Sequence, residues 1–240
     1  MRIVAIIQAR MGSTRLPGKV LSDLCGETVL ARVVSRVRQC RYVNEVIVAT
    51  SVDPADNAIV QECCRHDVCA FRGSECDVLD RYYWAAQRAR ADAVARITAD
   101  CPLIDPDVSD KTIQAFVAQQ ADYASNVLQR TYPRGLDTEV MTIAALGSAW
   151  KDAWDPCQRE HVTPFLYQHP DRFGLVSVTG ERDYSNYRWT LDTAEDLQFL
   201  RAVYERCAKP SHLRLREVLR ILEREPNLAE INQHVRQKAI

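Results

Sequence analysis

Short apolar runs alternate with amphipathic stretches through the first half of the chain, and this alternation leaves few folds open. The run at 3–7 is apolar at every position, as a strand covered on both faces by helices requires. Further strand-like runs stand at 45–50, 68–71 and 93–98. Helical stretches fall between them at 28–38, after Asp53-Pro54, at 78–90 and after Pro106, since proline suits a first helical position. The rhythm predicts an α/β fold: an open, mostly parallel sheet with helices on both faces. After about residue 120 the pattern is less regular. Runs at 123–128 and 138–141, around a turn at Pro133-Arg134-Gly135, predict a mixed sheet. Helices at 143–151 and 158–169, a strand at 173–178, a helix from about 193 and a helical tail from 213 complete the expectation. No repeat or linker interrupts residues 1–240, so a single domain is expected.

Composition narrows the function. With 47% apolar residues the chain can bury a large core, and its net charge of −1 argues against a protein that coats nucleic acid. The expected partner is a small molecule. No run approaches the roughly 20 apolar residues of a membrane span, and Met1 leads straight into a strand without a secretory pattern, so a cytoplasmic protein is expected. The nine cysteines are odd in number and contain no C-x-x-C pair, which suits neither a disulfide framework nor a zinc site.

The densest chemistry lies at 8–19, where the first strand ends. Gly12 and Gly18 admit close backbone approach, Ser13 and Thr14 add hydroxyls, and Arg10, Arg15 and Lys19 add positive charge, as a polyphosphate cradle needs. The spacing is neither Walker A nor G-x-G-x-x-G. Asp100 follows the strand at 93–98 and should reach the same sheet edge, where a carboxylate can hold Mg²⁺ together with phosphate oxygens. As a turn or cap residue before Pro102, it would have no metal role. Gly73 and Ser74, after the third strand, suit either a ligand loop or a helix cap, and Asp77 is also placed to cap. In the second half, Arg134, Asp137, Glu139 and His161 are candidates for a polar acceptor, with a structural role open for His161.

The stretch A-R-x-x-S-T-R-L-P-G-K after a strand resembles the signature loop of sugar-activating cytidylyltransferases, including the acylneuraminate and 3-deoxy-manno-octulosonate enzymes. Over nearly the whole chain the closer resemblance is to SpsF-like proteins of spore-coat polysaccharide biosynthesis. The shared motifs are G-S-x-x-D-V-L-x-R-Y at 73–82, D-C-P-L-I-D-P at 100–106, R-E-H-V-T-P at 159–164 and L-D-T-x-E-D-L at 191–197. The resemblance implies the Rossmann-like fold of nucleotide-diphospho-sugar transferases and transfer of CMP from CTP to a sugar or sugar acid. Pyrophosphate is then released, in surface polysaccharide or glycoconjugate biosynthesis. It further implies a homodimer, and Mg²⁺ held by Asp100 and by Asp192, which returns late in the chain; Ala99 replaces the usual glycine. Ala9, Arg10, Gly12, Ser13, Arg15, Lys19, Gly73, Ser74 and Asp100 would bind nucleotide, with Arg10, Arg15, Lys19 and Asp100 acting in catalysis. The nucleotide half would span about 1–120, and the acceptor and dimerisation half about 121–240.

Local reading of Asp192-Thr193-Ala194-Glu195 is a capping box, with Asp196 on the helix surface. Two alternatives stay open: a glycosyltransferase using Asp105-Pro106-Asp107, and a non-catalytic partner subunit.

Overall fold

The N-terminal apolar run becomes β1 (Ile3–Gln8) in the computed structural model, which describes residues 1–237. Ile3, Ala5 and Ile7 enter one buried cluster and Val4 and Ile6 another, so both faces of the strand are covered. There follow α1 (Val29–Val37), β2 (Glu45–Ser51), α2 (Asn57–Arg65), β3 (Cys69–Gly73), α3 (Val78–Arg88), β4 (Ala93–Thr98) and α4 (Pro106–Ala118). Side-chain caps start α1, α3 and α4: Thr28 accepts from the Ala31 amide, Asp77 from Asp80, and Asp105 from Asp107 and Val108. The second half adds β5 (Tyr123–Ser125), β6 (Glu139–Thr142), α5 (Ile143–Asp152), α6 (Pro156–His161), α7 (Pro164–Tyr167), β7 (Leu175–Ser177), α8 (Ala194–Glu205), α9 (Leu215–Arg224) and α10 (Asn227–Glu230).

The seven strands form one sheet in the order β3-β2-β1-β4-β6-β5-β7. Strands β1 to β4 pair in parallel, whereas β6 runs antiparallel to both β4 and β5. One face carries Leu30 of α1, Ile59 of α2 and Phe116 of α4; the other carries Tyr82 of α3, Leu146 of α5 and Phe165 of α7. A third cluster joins Leu103, Trp189 and Leu191 to Phe199 of α8 and Val218 of α9. Because β1 has β2 on one side and β4 on the other, the direction of winding reverses there, and the strand ends open into a crevice. Gln8 is in register with Thr98, so the loops leaving β1 and β4 begin side by side.

Three expectations need correction. The helix expected at 158–169 divides into α6 and α7, with Val162 at φ +73° between them. Pro164 explains the division, having no N–H and a ring that conflicts with the carbonyl four residues earlier. The strands expected at 123–128 and 173–178 shorten to three residues each. The capping box of α8 uses Thr193 and Asp196, one position later than the Asp192 and Glu195 pairing. The tail becomes α9 and α10, and residues 238–240 lie outside the described chain.

Candidate active site

Two carboxylates from distant parts of the chain meet at the crevice floor. The Thr98 hydroxyl, at the end of β4, donates to Asp100 Oδ1 at 2.6 Å. Leu191 N–H donates to the Asp100 carbonyl at 2.8 Å, bringing Asp192 alongside. Between the carboxylates lies Lys19 Nζ, which donates to Asp100 Oδ2 at 2.6 Å, Leu191 O at 2.7 Å and Asp192 Oδ1 at 2.8 Å. The other Asp192 oxygen takes Arg15 at 2.8 Å and Arg188 at 2.7 Å. Burial works against the Lys19 charge, but Asp100 and Asp192 outweigh it and hold the ammonium above its ordinary range. Burial likewise disfavours ionised Asp192, yet Lys19, Arg188 and Arg15 bring its carboxyl down to about 2. Hard oxygen donors converging on one cationic point form a donor set that fits a divalent cation also bound to phosphate.

Asp196 lies behind this pair rather than on the helix surface. It is 0% exposed and accepts from Arg188, Asn232 and the amides of Asp192 and Thr193, thereby setting the Asp192 backbone. A buried carboxylate requires such partners, and the local spacing could not reveal them. Cys101 beside Asp100 is buried, which pushes its thiol well up and keeps it protonated.

The loop after β1 closes on itself through Gly18 N–H to Met11 O at 3.0 Å, with Gly18 at φ +70°, a conformation that favours glycine. Sequence reasoning missed its anchor, Asp56. That carboxylate accepts Met11 N–H at 2.7 Å through one oxygen and Thr50 Oγ1, Ser51 N–H and Ser51 Oγ through the other. The only local signal was the helix start at Asp53-Pro54. Burial raises the Asp56 pKa, but the bonds from Ser51, Met11 and Thr50 prevail and leave it below the ordinary carboxylate range. A depressed folded-state pKa gives stability above the unfolded value, lost as pH falls through the folded one. Asp56→Asn should therefore melt below wild type at pH 7. The gap in Tm should close as pH drops below about 4, and a gap constant with pH would rule out the ionised anchor.

Of the other loop candidates, Ala9 is buried and spends its N–H on Ala49 O, leaving it to line the floor. Arg10 faces Glu160 of α6 at 3.5 Å, across the crevice mouth. Gly12 has open space around it, and Ser13 Oγ accepts Leu16 N–H.

Gly73 ends β3, and a Cβ there would meet Arg81 Cγ at 3.2 Å. Ser74 Oγ accepts Asp77 N–H, while its carbonyl accepts from Arg81 at 2.8 Å. Asp77 also takes Arg159 Nε at 2.9 Å, tying α6 to this loop and giving the arginine of R-E-H-V-T-P a positioning role.

The four acceptor candidates separate into two neighbourhoods. Arg134 has Arg130, Asp137 and Arg188 as charged neighbours, and Asp137 pairs with Arg130 at 2.6 Å. Gly135 packs so tightly that an added Cβ would lie 2.6 Å from the Trp189 backbone. His161, by contrast, is near Glu160, Arg96, Arg10 and Glu139. Burial lowers its pKa, and Arg96 and Arg10 add to this against Glu160, so the neutral imidazole is favoured near pH 7. Glu139 is corrected from an open acceptor ligand to an interior group. It pairs with Arg96 on β4 and accepts from Tyr123 Oη at 2.5 Å and Thr163 Oγ1 at 2.7 Å. Alternation along β6 turns Glu139 towards Arg96, with which it is in register. Arg96 itself was missed because its strand reads as apolar. The Asp105-Pro106-Asp107 triplet is a helix start, with Asp105 also accepting Leu215 N–H at 2.5 Å, which removes the support it lent to a glycosyltransferase.

The family profile described as cytidylyltransferase matches residues 4–227. The spore coat polysaccharide biosynthesis protein SpsF of Bacillus subtilis (strain 168) is 33% identical over 234 residues, covering 95% of this chain and 96% of its own. A solved cytidylyltransferase from Leptospira borgpetersenii serovar Hardjo-bovis (strain JB197) superposes with a TM-score of 0.92 at 30% identity, over 100% of both chains. A CMP:2-keto-3-deoxy-manno-octonic acid synthetase solved with CTP shares the fold, with a TM-score of 0.66 at 20% identity over 85% of this chain and 99% of its own. With a matched profile over residues 4–227 and a relative 33% identical along nearly the whole of both chains, the chain belongs to the cytidylyltransferase family.

Proposed function

We propose that the protein transfers CMP from CTP to a sugar or sugar-acid acceptor for polysaccharide or glycoconjugate biosynthesis. The convergence of Asp100, Asp192 and Lys19 beside the phosphate loop carries this reading. An acceptor oxygen attacks the α-phosphorus and loses its proton, a new O–P bond forms, and the α–β phosphoanhydride breaks to release pyrophosphate. Lys19, Arg10 and Arg15 neutralise the leaving pyrophosphate, with the loop held in place by Asp56. Asp100 and Asp192 would hold Mg²⁺, which supplies charge neutralisation on the phosphate oxygens when bound. Gly73 and Ser74 border the base and ribose, so residues 1–120 serve the nucleotide. The acceptor falls to residues 121–240, through Arg134, Asp137 and His161, with Glu139 and Arg96 fixing the strand and helix behind them.

No helix among the described residues is long and apolar enough to cross a membrane. We place the reaction in the cytoplasm, where CTP is available, and expect a homodimer by light scattering.

Thermal melting with CTP, UTP, GTP, ATP and dTTP, each with and without Mg²⁺, tests the reading without knowledge of the acceptor. A ligand at 100 times its Kd stabilises by about 2.7 kcal/mol, a shift of several degrees. The largest shift is expected with CTP plus Mg²⁺ and should be lost in Asp100→Ala. Stabilisation by nucleoside-diphosphate sugars alone would overturn the proposal in favour of glycosyl transfer.

A further inference from the structure

Lys19 uses all three of its ammonium donors at 2.6–2.8 Å on the two carboxylates and on Leu191 O. Its side chain is 12% exposed, so water cannot take over these bonds in place. The remaining oxygens are engaged as well, by Thr98 at Asp100 Oδ1 and by Arg15 and Arg188 at Asp192 Oδ2. A divalent cation on these carboxylates would lie about 2 Å from the oxygens. The ammonium in its present position would then be a second cation within about 5 Å of a metal on the oxygens it occupies, a repulsive arrangement in a partly desolvated site. The two cations therefore compete for the same carboxylate oxygens.

We infer that Lys19 is a built-in placeholder for the metal, held between Asp100 and Asp192 until a nucleotide triphosphate draws its ammonium away. This rests on the proposal that those aspartates bind the metal. Lys19 belongs to the phosphate loop, directly after Gly18 and at the start of the 3-10 turn Lys19–Leu21. An ammonium leaving the carboxylates therefore stays attached to the segment that cradles the phosphates, its replacement anion. Without nucleotide the released lysine has no equivalent partner, so the metal meets a competing cation. Nucleotide and metal then bind with positive coupling beyond direct chelation, and this coupling is reciprocal.

The test is Mn²⁺ binding, followed by electron paramagnetic resonance without acceptor or turnover. In the absence of nucleotide, Lys19→Met should bind Mn²⁺ about ten-fold more tightly than wild type, within the usual range of coupling between sites. Adding Asp192→Asn to that variant should abolish the gain. Equal or weaker binding by folded Lys19→Met would overturn the placeholder. Failure of the underlying metal assignment looks different: Mn²⁺ bound to wild type with CTP would not depend on Asp100 or Asp192.

A measurement on wild type guards against misfolding of the variant. In ¹⁵N-detected spectra of lysine ammonium groups, the Lys19 signal should keep its position with Mg²⁺ alone, move when CTP is added, and move at lower CTP concentration when Mg²⁺ is also present. A signal that moves equally with Mg²⁺ alone would overturn the inference.

Discussion

Asp100→Ala is expected to lower the rate of CMP transfer by about 10³-fold, the scale seen when one preorganised group stabilising transition-state charge is removed. In the proposed reaction the carboxylate would be a metal donor, and it is one of the anchors that orient Lys19, so its loss would affect both charge neutralisation and loop placement. The fold should survive. Asp100 is 23% exposed, and Lys19 keeps Asp192 and Leu191 O as partners. Initial rates of pyrophosphate release from CTP, paired with a thermal melt, separate the two effects. A rate within ten-fold of wild type would remove Asp100 from the chemistry, whereas a collapsed melting curve would indicate a structural role instead.

Glu139→Ala is expected to be the most destabilising change at the site. Glu139 and Arg96 have side-chain exposures of 6% and 13%, and removing the acid leaves a guanidinium in the interior without a counter-charge. Breaking a buried pair from one side costs about 3–5 kcal/mol. At this chain length that corresponds to a fall in Tm of about 10 °C. The Tyr123 and Thr163 hydroxyls lose their acceptor as well, loosening the link between β6 and the start of α7. Two residues earlier, Asp137→Ala removes a pair whose carboxylate is 30% exposed, and about 0–1 kcal/mol is expected. The contrast can be measured by urea unfolding of both variants. A Glu139→Ala loss below 1 kcal/mol would mean that Arg96 finds another partner or reaches water.

Much of this was legible one segment at a time. The run at 3–7 announced a doubly covered strand and Pro106 with Asp105 a helix start, because hydrophobic period and capping act over neighbouring residues. The helix expected at 158–169 shows the limit of that reading, since its apolar spacing spans a break imposed by Pro164.

The α/β class, the Gly-rich basic loop after β1 and the placement of Asp100 at a strand end could all be read from the residues alone, since each follows from local pattern and from the direction of a parallel strand. That Lys19 stands between Asp100 and Asp192, residues 81 and 173 positions away, emerges from the folded chain. The folded chain also makes Asp196 and Asp56 buried anchors and sets Glu139 against Arg96 and Asp137 against Arg130. A charged side chain has no periodic signature of its own. Its role depends on which partner the fold brings within about 3 Å and on how much water is excluded there, both of which are set by contacts between distant segments.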